Sequence, residues 1–365
     1  MLQCSNYGAS PRVVLAEEDL PVTRKSNLLL FAGAFGVAAA AGFLVSRATG
    51  KVVAKRSPAR GRFIQVDGAW LHVLQQGSGP DVLLIHGAAM LADEMMLALG
   101  HAFPGQRVTA VDRPGHGHSS RRRRPSIADQ ARLLHQAAAE LGLERPVIVG
   151  HSLGGAVALS YGEQFPDDVS GVVAVAPLAY PGWGPAHLGR ALRGAPVLGP
   201  VLSNTVQALV DPLMMRAVMR LIFSPQKPTP AFKQTVDVGL LARPHAMVAD
   251  GGDFVRASLD LEPLSRRYGT FPAPLHVIVG EQDRILKPAR QGKRLAQAVP
   301  GAGLTVLPGS GHMLHHFAPQ AVTAAVAAVR DAAGQPEQDG AQAQPTNARS
   351  STKSPGSAFD PSVSP

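Results

Sequence analysis

Between Gly150 and Gly154 the chain reads GHSLG, after the apolar run PVIVG and before the helical pattern GGAVALSY. In a strand–turn–helix setting, such a pentapeptide presents its serine, here Ser152, from a strained turn. Gly150 and Gly154 keep the turn free of side-chain clashes, with His151 beside the serine, and the start of a helix favours developing negative charge. Glycine-rich turns are common, so Ser152 is a nucleophile only if partners accompany it. A base is offered by His312 in GSGHMLHHF, within the loop after the final apolar run; His315 and His316 compete for the role but fall where the next helix begins. An acid to orient that histidine comes from LHVIVGEQDRIL, where Asp283 lies farther into the loop than Glu281. In VLLIHGAAM, His86 and Gly87 end another run, which lets the Ala88 amide join the Leu153 amide as an oxyanion hole.

These residues need a scaffold that brings loop ends together. From Phe63 the pattern FIQVDGAWLHVLQQG alternates and turns at Asp67-Gly68, a hairpin signal. Six short apolar runs follow: VLLIH (82–86), RVTAVD (107–112), PVIVG (146–150), VSGVVAVA (169–176), LHVIVG (275–280) and GLTVLP (303–308). Each reads as a strand buried on both faces, with helical patterns such as 127–142, 154–165 and 288–299 between most of them. That alternation predicts an α/β domain on a mainly parallel, eight-stranded type of sheet with helices on both faces. Between Pro177 and Pro272 the rhythm breaks into helix-length apolar segments, which predicts a helical cap over the carboxyl edge of the sheet. The domain layout is then a core of 63–177 and 272–333, a cap of 178–271, and a polar tail of 334–365 poor in apolar residues and expected to be disordered.

The N-terminal end is organised differently. After an aperiodic lead, 1–27, residues 28–46 form an uncharged run of 19 residues, followed by a basic linker, 47–62. A helix of that length reaches about 28 Å, close to the hydrocarbon thickness of a bilayer. A cleaved signal peptide, with Ser46-Arg47-Ala48 as its small-x-small site, and a buried core helix are the rival readings; the length of the run and its late start favour an uncleaved single-pass anchor. Arg47, Lys51, Lys55, Arg56, Arg60 and Arg62 follow the run, against Arg12, Arg24 and Lys25 before it. By the positive-inside rule the bulk of the protein faces the cytoplasm, at a bacterial inner membrane. The net charge of +9 is not accompanied by a basic stripe interleaved with aromatics, so no nucleic-acid partner is expected. The run Arg121 to Arg124 reads as a solvated loop, and the single Cys4 excludes an intrachain disulfide or a cysteine-built zinc site.

Taken with VDRPGHGHS (111–119), which matches an Asp-x-x-Gly-x-Gly-x-Ser loop at Asp112, Gly115, Gly117 and Ser119, the HGAA, GHSLG, GEQD and GSGH segments make residues 63–333 resemble the α/β-hydrolase superfamily. Within it the chain looks most like the capped bacterial esterase, epoxide hydrolase and haloperoxidase-like group. The order Ser152, Asp283, His312 is the order that this resemblance implies. Epoxide hydrolases and haloalkane dehalogenases of the group attack with aspartate; a serine at position 152 implies acyl chemistry, needing neither metal nor organic cofactor. Met214, Met215, Met219, Leu221, Ile222 and Phe223 form a soft apolar set in the cap suited to an acyl chain or to cap packing. The expectation is an esterase acting on a small-molecule, lipophilic ester or acyl substrate. Acyltransferase, thioesterase, C–C hydrolase or perhydrolase chemistry, or a non-catalytic binding relative, are the alternatives. HAMVAD (245–250) matches the H-x-x-x-x-D pattern of glycerolipid acyltransferases but lies in the cap without the rest of that pattern, and is read as chance.

Overall fold

A computed structural model describes residues 22–121, 124–182 and 185–334. The lead up to residue 21 and the tail from residue 335 lie outside the described residues. Eight strands form one sheet: β1 (Arg62–Val66), β2 (Ala69–Gln76), β3 (Asp81–Ile85), β4 (Arg107–Val111), β5 (Val147–His151), β6 (Gly171–Val175), β7 (Leu275–Gly280) and β8 (Gly303–Leu307). Their order is β1-β2-β4-β3-β5-β6-β7-β8, with the β1–β2 and β2–β4 pairs antiparallel and every other pair parallel. The β1–β2 hairpin turns at Asp67 and Gly68, both at positive φ (45° and 67°), as a two-residue turn of this hand requires.

Among the described residues twelve α-helices accompany the sheet: α1 (Val22–Arg56), α2 (Ala92–Leu99), α3 (Ile127–Glu140), α4 (Leu153–Gln164), α5 (Pro185–Gly194), α6 (Leu198–Asn204), α7 (Val206–Phe223), α8 (Pro230–Thr235), α9 (Val238–Leu241), α10 (Pro244–Ser265), α11 (Gly292–Ala298) and α12 (Pro319–Gly334). Because successive strand side chains point to opposite faces, each continuous apolar run feeds two cores at once. Leu83, Ile85, Ile148, Val172 and Val277 pack with α3, α4 and α11, whereas Val82, Leu84, Val147, Val149 and Val173 pack with α2 and α12. Strand β8 departs from expectation: as an edge strand it is only half-buried, having one neighbour instead of two.

The insertion between β6 and β7 carries α5 to α10, and its last helix is not confined to a cap, since Ala257, Leu261 and Leu264 of α10 join the main core. The N-terminal region also differs from the sequence reading. Helix α1 runs unbroken to Arg56, so the first ten residues of the basic linker are helical; no proline intervenes before Pro58. Its stretch Gly36–Arg56 is by length and composition able to cross a membrane. Gly42 sits so close to the α6–α7 junction that a Cβ there would lie 1.9 Å from the Thr205 carbonyl oxygen, and Ser57 Oγ donates to Asp237 Oδ2 at 2.7 Å. Helix α1 is therefore packed against the inserted helices.

Candidate active site

Strand β3 sends its successors to both sides, to β4 on one and β5 on the other, and the crevice beyond β3 and β5 is where an open α/β sheet gathers functional loops. Ser152 stands immediately after β5 at φ 55°, ψ −117°, and leads directly into α4. That backbone conformation is strained for a residue with a side chain, and it persists because the surroundings leave no other path. A Cβ on Gly150 would lie 2.3 Å from the Gly154 carbonyl oxygen; one on Gly154 would lie 2.3 Å from that of Ile85. A larger residue at 154 would push the elbow away from β3, and one at 150 would push α4 away from β5.

His312, in the loop after β8, places Nε2 at 3.0 Å from Ser152 Oγ, and its Nδ1 donates to Asp283 Oδ2 at 2.7 Å. The other oxygen of Asp283 accepts the amides of Ile285 (2.8 Å) and Leu286 (2.9 Å), which aims the carboxylate. All three side chains are buried. Glu281 is exposed and stands apart from them. Leu153 is the first residue of α4, so its amide has no intrahelical acceptor and is free for an oxyanion. Ala88 follows Gly87 in the loop after β3, against the elbow: a Cβ on Gly87 would lie 3.1 Å from Ser152 Cβ.

Further residues, not singled out from sequence for these roles, hold the loop of residues 86–89 in place. Arg113 is wholly buried; its guanidinium donates to the carbonyls of His86 (3.0 Å) and Gly87 (3.2 Å) and pairs with Asp253 of α10 at 2.7 Å. His86 Nδ1 donates to the Gly87 carbonyl and its Nε2 accepts the Arg113 amide, which makes the ring neutral; burial and the nearby Arg113 push it down to about 3. Asp250, also on α10, accepts the Ala89 amide at 3.0 Å, where Ala89 turns at φ 50°. Asp250 is the last residue of HAMVAD, a match read from sequence as chance, and its role here is to hold this loop. Arg121 corrects the reading of its run as solvated: its guanidinium lies 3.2 Å from Asp253, mostly buried, while Arg124 is exposed. Residues 122 and 123 lie outside the described residues.

Asp112 performs the structural part expected of its loop. Its Oδ1 accepts the Ala92 amide at the start of α2, Oδ2 accepts the His118 amide and the His72 imidazole, and a Cβ on Gly117 would collide with the carboxylate. Burial pushes this carboxyl up, but the His72 hydrogen bond and neighbouring imidazoles outweigh it and hold it below the usual range.

His151, His315 and His316 do not touch Ser152 Oγ. His151 donates through Nε2 to the His312 carbonyl at 3.2 Å, and burial beside His315 and His312 holds it well below its ordinary value. His315 and His316 both direct Nε2 at Glu94 Oε1, at 2.6 and 2.7 Å. Their donor atoms lie within 4.8 Å of one another, within reach of a single ion, and the two contacts have the length of hydrogen bonds. Burial raises the Glu94 carboxyl, but the two imidazoles outweigh this and hold it well below the usual carboxylate range.

The inserted helices pack beside this arrangement. Met215, Met219 and Phe223 of α7, Phe232 of α8 and Leu240 of α9 form one apolar cluster with Met90 and Leu91, which follow the loop of residues 86–89, and with Met313 next to the base. The apolar set foreseen in the cap divides here: Met215, Met219 and Phe223 face inward, Ile222 is half-buried against them, and Met214 and Leu221 face outward.

The fold and the strand-end loops define an α/β hydrolase, and the family profile described as the alpha/beta hydrolase fold matches residues 80–319; the chain belongs to that family. Among its relatives is an uncharacterized protein of Mycobacterium tuberculosis (strain ATCC 25618 / H37Rv), 30% identical over 266 residues, covering 67% of this chain and 73% of the relative. Two solved structures share the fold. An enol-lactonase from Burkholderia xenovorans LB400 superposes with a TM-score of 0.59 at 20% identity, over 73% of this chain and 99% of its own. A bacterial membrane phospholipase A superposes with a TM-score of 0.53 at 22% identity, over 85% of this chain and 99% of its own.

Proposed function

We propose that the protein is a serine esterase, tethered to a membrane by α1, that cleaves a lipophilic carboxylic ester through an acyl-enzyme on Ser152. The observation that carries this reading is the continuous chain from Ser152 Oγ to His312 Nε2 (3.0 Å) and from His312 Nδ1 to Asp283 Oδ2 (2.7 Å), built on a strained elbow. In the forward step Ser152 Oγ attacks the ester carbonyl while its proton passes to His312 Nε2. Asp283 stabilises the imidazolium through Nδ1–H and keeps the ring in the tautomer that can accept at Nε2. The negative charge on the carbonyl oxygen meets the Leu153 and Ala88 amides and the N-terminus of α4. His312 then returns the proton to the departing alcohol, and water repeats the sequence to release the acid.

The lipophilic preference rests on the Met-rich cluster above the serine, because unbranched, polarisable side chains repack around an acyl chain at little cost. An enol-lactonase and a membrane phospholipase A among the structural neighbours are both names for enzymes acting on carboxylic esters, which supports the same class. Labelling by a fluorophosphonate probe, compared between the wild type and Ser152→Ala, tests the nucleophile; a folded wild type that fails to label would sink the proposal. A p-nitrophenyl ester series of rising chain length tests the substrate class, and strict preference for the acetate would remove the lipophilic part.

A further inference from the structure

Large apolar side chains on the surface are unevenly distributed. Among the described residues, all but five of the exposed ones lie either on α1 or between Leu192 and Leu221 of the inserted helices. Scattered singly, such residues need no explanation, but a contiguous patch marks a surface meant for something apolar. Here six such residues flank one junction: Val197, Leu198 and Val201 before Thr205, and Val210, Leu213 and Met214 after it, are all exposed. Thr205 is also where Gly42 brings α1 close to the inserted helices.

From these placements we infer that α6 and the first turns of α7 dock into the surface of the bilayer that α1 crosses, with their apolar side chains among the upper acyl segments. The inference rests on the reading of α1 as a membrane anchor. Helical geometry sets the depth. Of α1, the uncharged run 28–46 is the part read as crossing, because the later half of Gly36–Arg56 carries Arg47, Lys51, Lys55 and Arg56; Gly42 precedes the end of that run at Ser46 by four residues, or about 6 Å along the helix axis. The junction packed on Gly42 is therefore held just inside the hydrocarbon boundary, within the ~5–10 Å to which interfacial helices sink their apolar faces. Arg47 and Lys51, exposed and one turn apart, begin on the aqueous side of that level, where anionic headgroups would neutralise them. The inward face of the same α7, Met215, Met219 and Phe223, packs in one cluster with Met90, Leu91 and Met313, which adjoin the loop of residues 86–89 and His312. Docking thus places one helix between the bilayer and the serine, and the substrate class it implies is an ester drawn laterally from the lipid phase.

Depth-dependent quenching tests this in the full chain. Single NBD-labelled cysteines at Val37→Cys, Leu213→Cys and Leu259→Cys, each in a Cys4→Ser background, are reconstituted into phosphatidylcholine–phosphatidylglycerol vesicles whose acyl chains are brominated near the carbonyl end for positions 213 and 259 and near the methyl end for position 37, which lies at the middle of the span. Blue-shifted emission with loss of fluorescence at positions 37 and 213, and neither at position 259 on α10, is the expected result. Quenching at 37 without quenching at 213 overturns the docking and leaves the anchor intact, whereas no quenching at 37 overturns the anchor itself. A probe at 213 that is shielded from aqueous iodide yet untouched by brominated lipid also overturns the docking, because the face is then covered by protein, such as a second copy of the chain. Val201→Cys replaces Leu213→Cys if that variant does not match the wild-type circular dichroism.

Discussion

Three residues apart on one loop, His312 and His315 each lean on a carboxylate, Asp283 and Glu94 respectively, and both pairs are buried. They differ in what the second ring nitrogen meets. In His312 it faces Ser152 Oγ at 3.0 Å; in His315 it is Nδ1, buried and without a partner among the described residues. Glu94 shares a single oxygen between two imidazoles, His315 and His316, and leaves its other oxygen unpartnered. The first pair is aimed at the Ser152 hydroxyl, as the proposed proton transfer needs, and the second ties the loop carrying His312 to α2. A carboxylate beside an imidazole does not by itself make a base; a nucleophile on the far side of the ring does.

Substitutions separate the two roles. The largest effect is expected at His312→Ala, which removes the proton acceptor and should lower kcat by about 10⁴-fold or more, measured on a p-nitrophenyl ester. Asp283→Asn comes next, with a loss of roughly 10³- to 10⁴-fold, because the amide favours the wrong tautomer of His312. Glu94→Gln should instead cost stability, about 3 kcal/mol by urea unfolding, while kcat of the folded fraction changes less than tenfold. A Glu94→Gln enzyme as inactive as Asp283→Asn would erase the distinction between the pairs.

Acidification addresses the same comparison from the other side. His86, His151 and His315 are all held below their ordinary value, chiefly by burial, so the unfolded chain binds protons that the folded one refuses. Stability is then full above about pH 6.5 and is lost as pH falls toward the folded values, at up to about 1.4 kcal/mol per pH unit for each histidine. Glu94, held well below the usual range, adds a loss of the same sign once pH passes below its unfolded value of about 4.5. The melting temperature should therefore drop between pH 7 and pH 5, before Glu94 is titrated in the unfolded chain; a flat profile would count against the buried neutral rings. The smallest effect is expected at Asp250→Ala, which frees the Ala89 amide at a cost of about 1 kcal/mol and should lower kcat severalfold with KM little changed.

The fold was legible because its strands write two cores into one apolar run. Alternation across the β1–β2 hairpin, and the continuous runs of β3, β4, β5, β6 and β7, follow from period two with helices on one face or both. The edge position of β8 was not, since whether a strand has one neighbour or two is not written in its own residues. Ser152, Asp283, His312 and Gly87 stood out because an elbow needs glycines and strand ends leave few candidates. Arg113, Asp250, Asp253 and Glu94 did not, because each acts across a long sequence separation: Arg113 meets Asp253 140 residues away, and Glu94 meets His315 221 residues away. A charged residue in a helical pattern looks solvated until its partner is known.

By itself, then, the sequence determined an α/β sheet with a helical insertion, a serine elbow with its candidate acid and base, and an apolar N-terminal run. These are properties of local spacing and period, which short stretches carry without reference to the rest. Only the tertiary structure decided that His312 and not His315 reaches Ser152, that α10 braces the loop of residues 86–89 through Asp250 and Asp253, and that α1 packs on the α6–α7 junction. Those depend on which side chains meet after the chain has closed on itself, and a hydrogen bond across a fold leaves no mark on the residues between its ends.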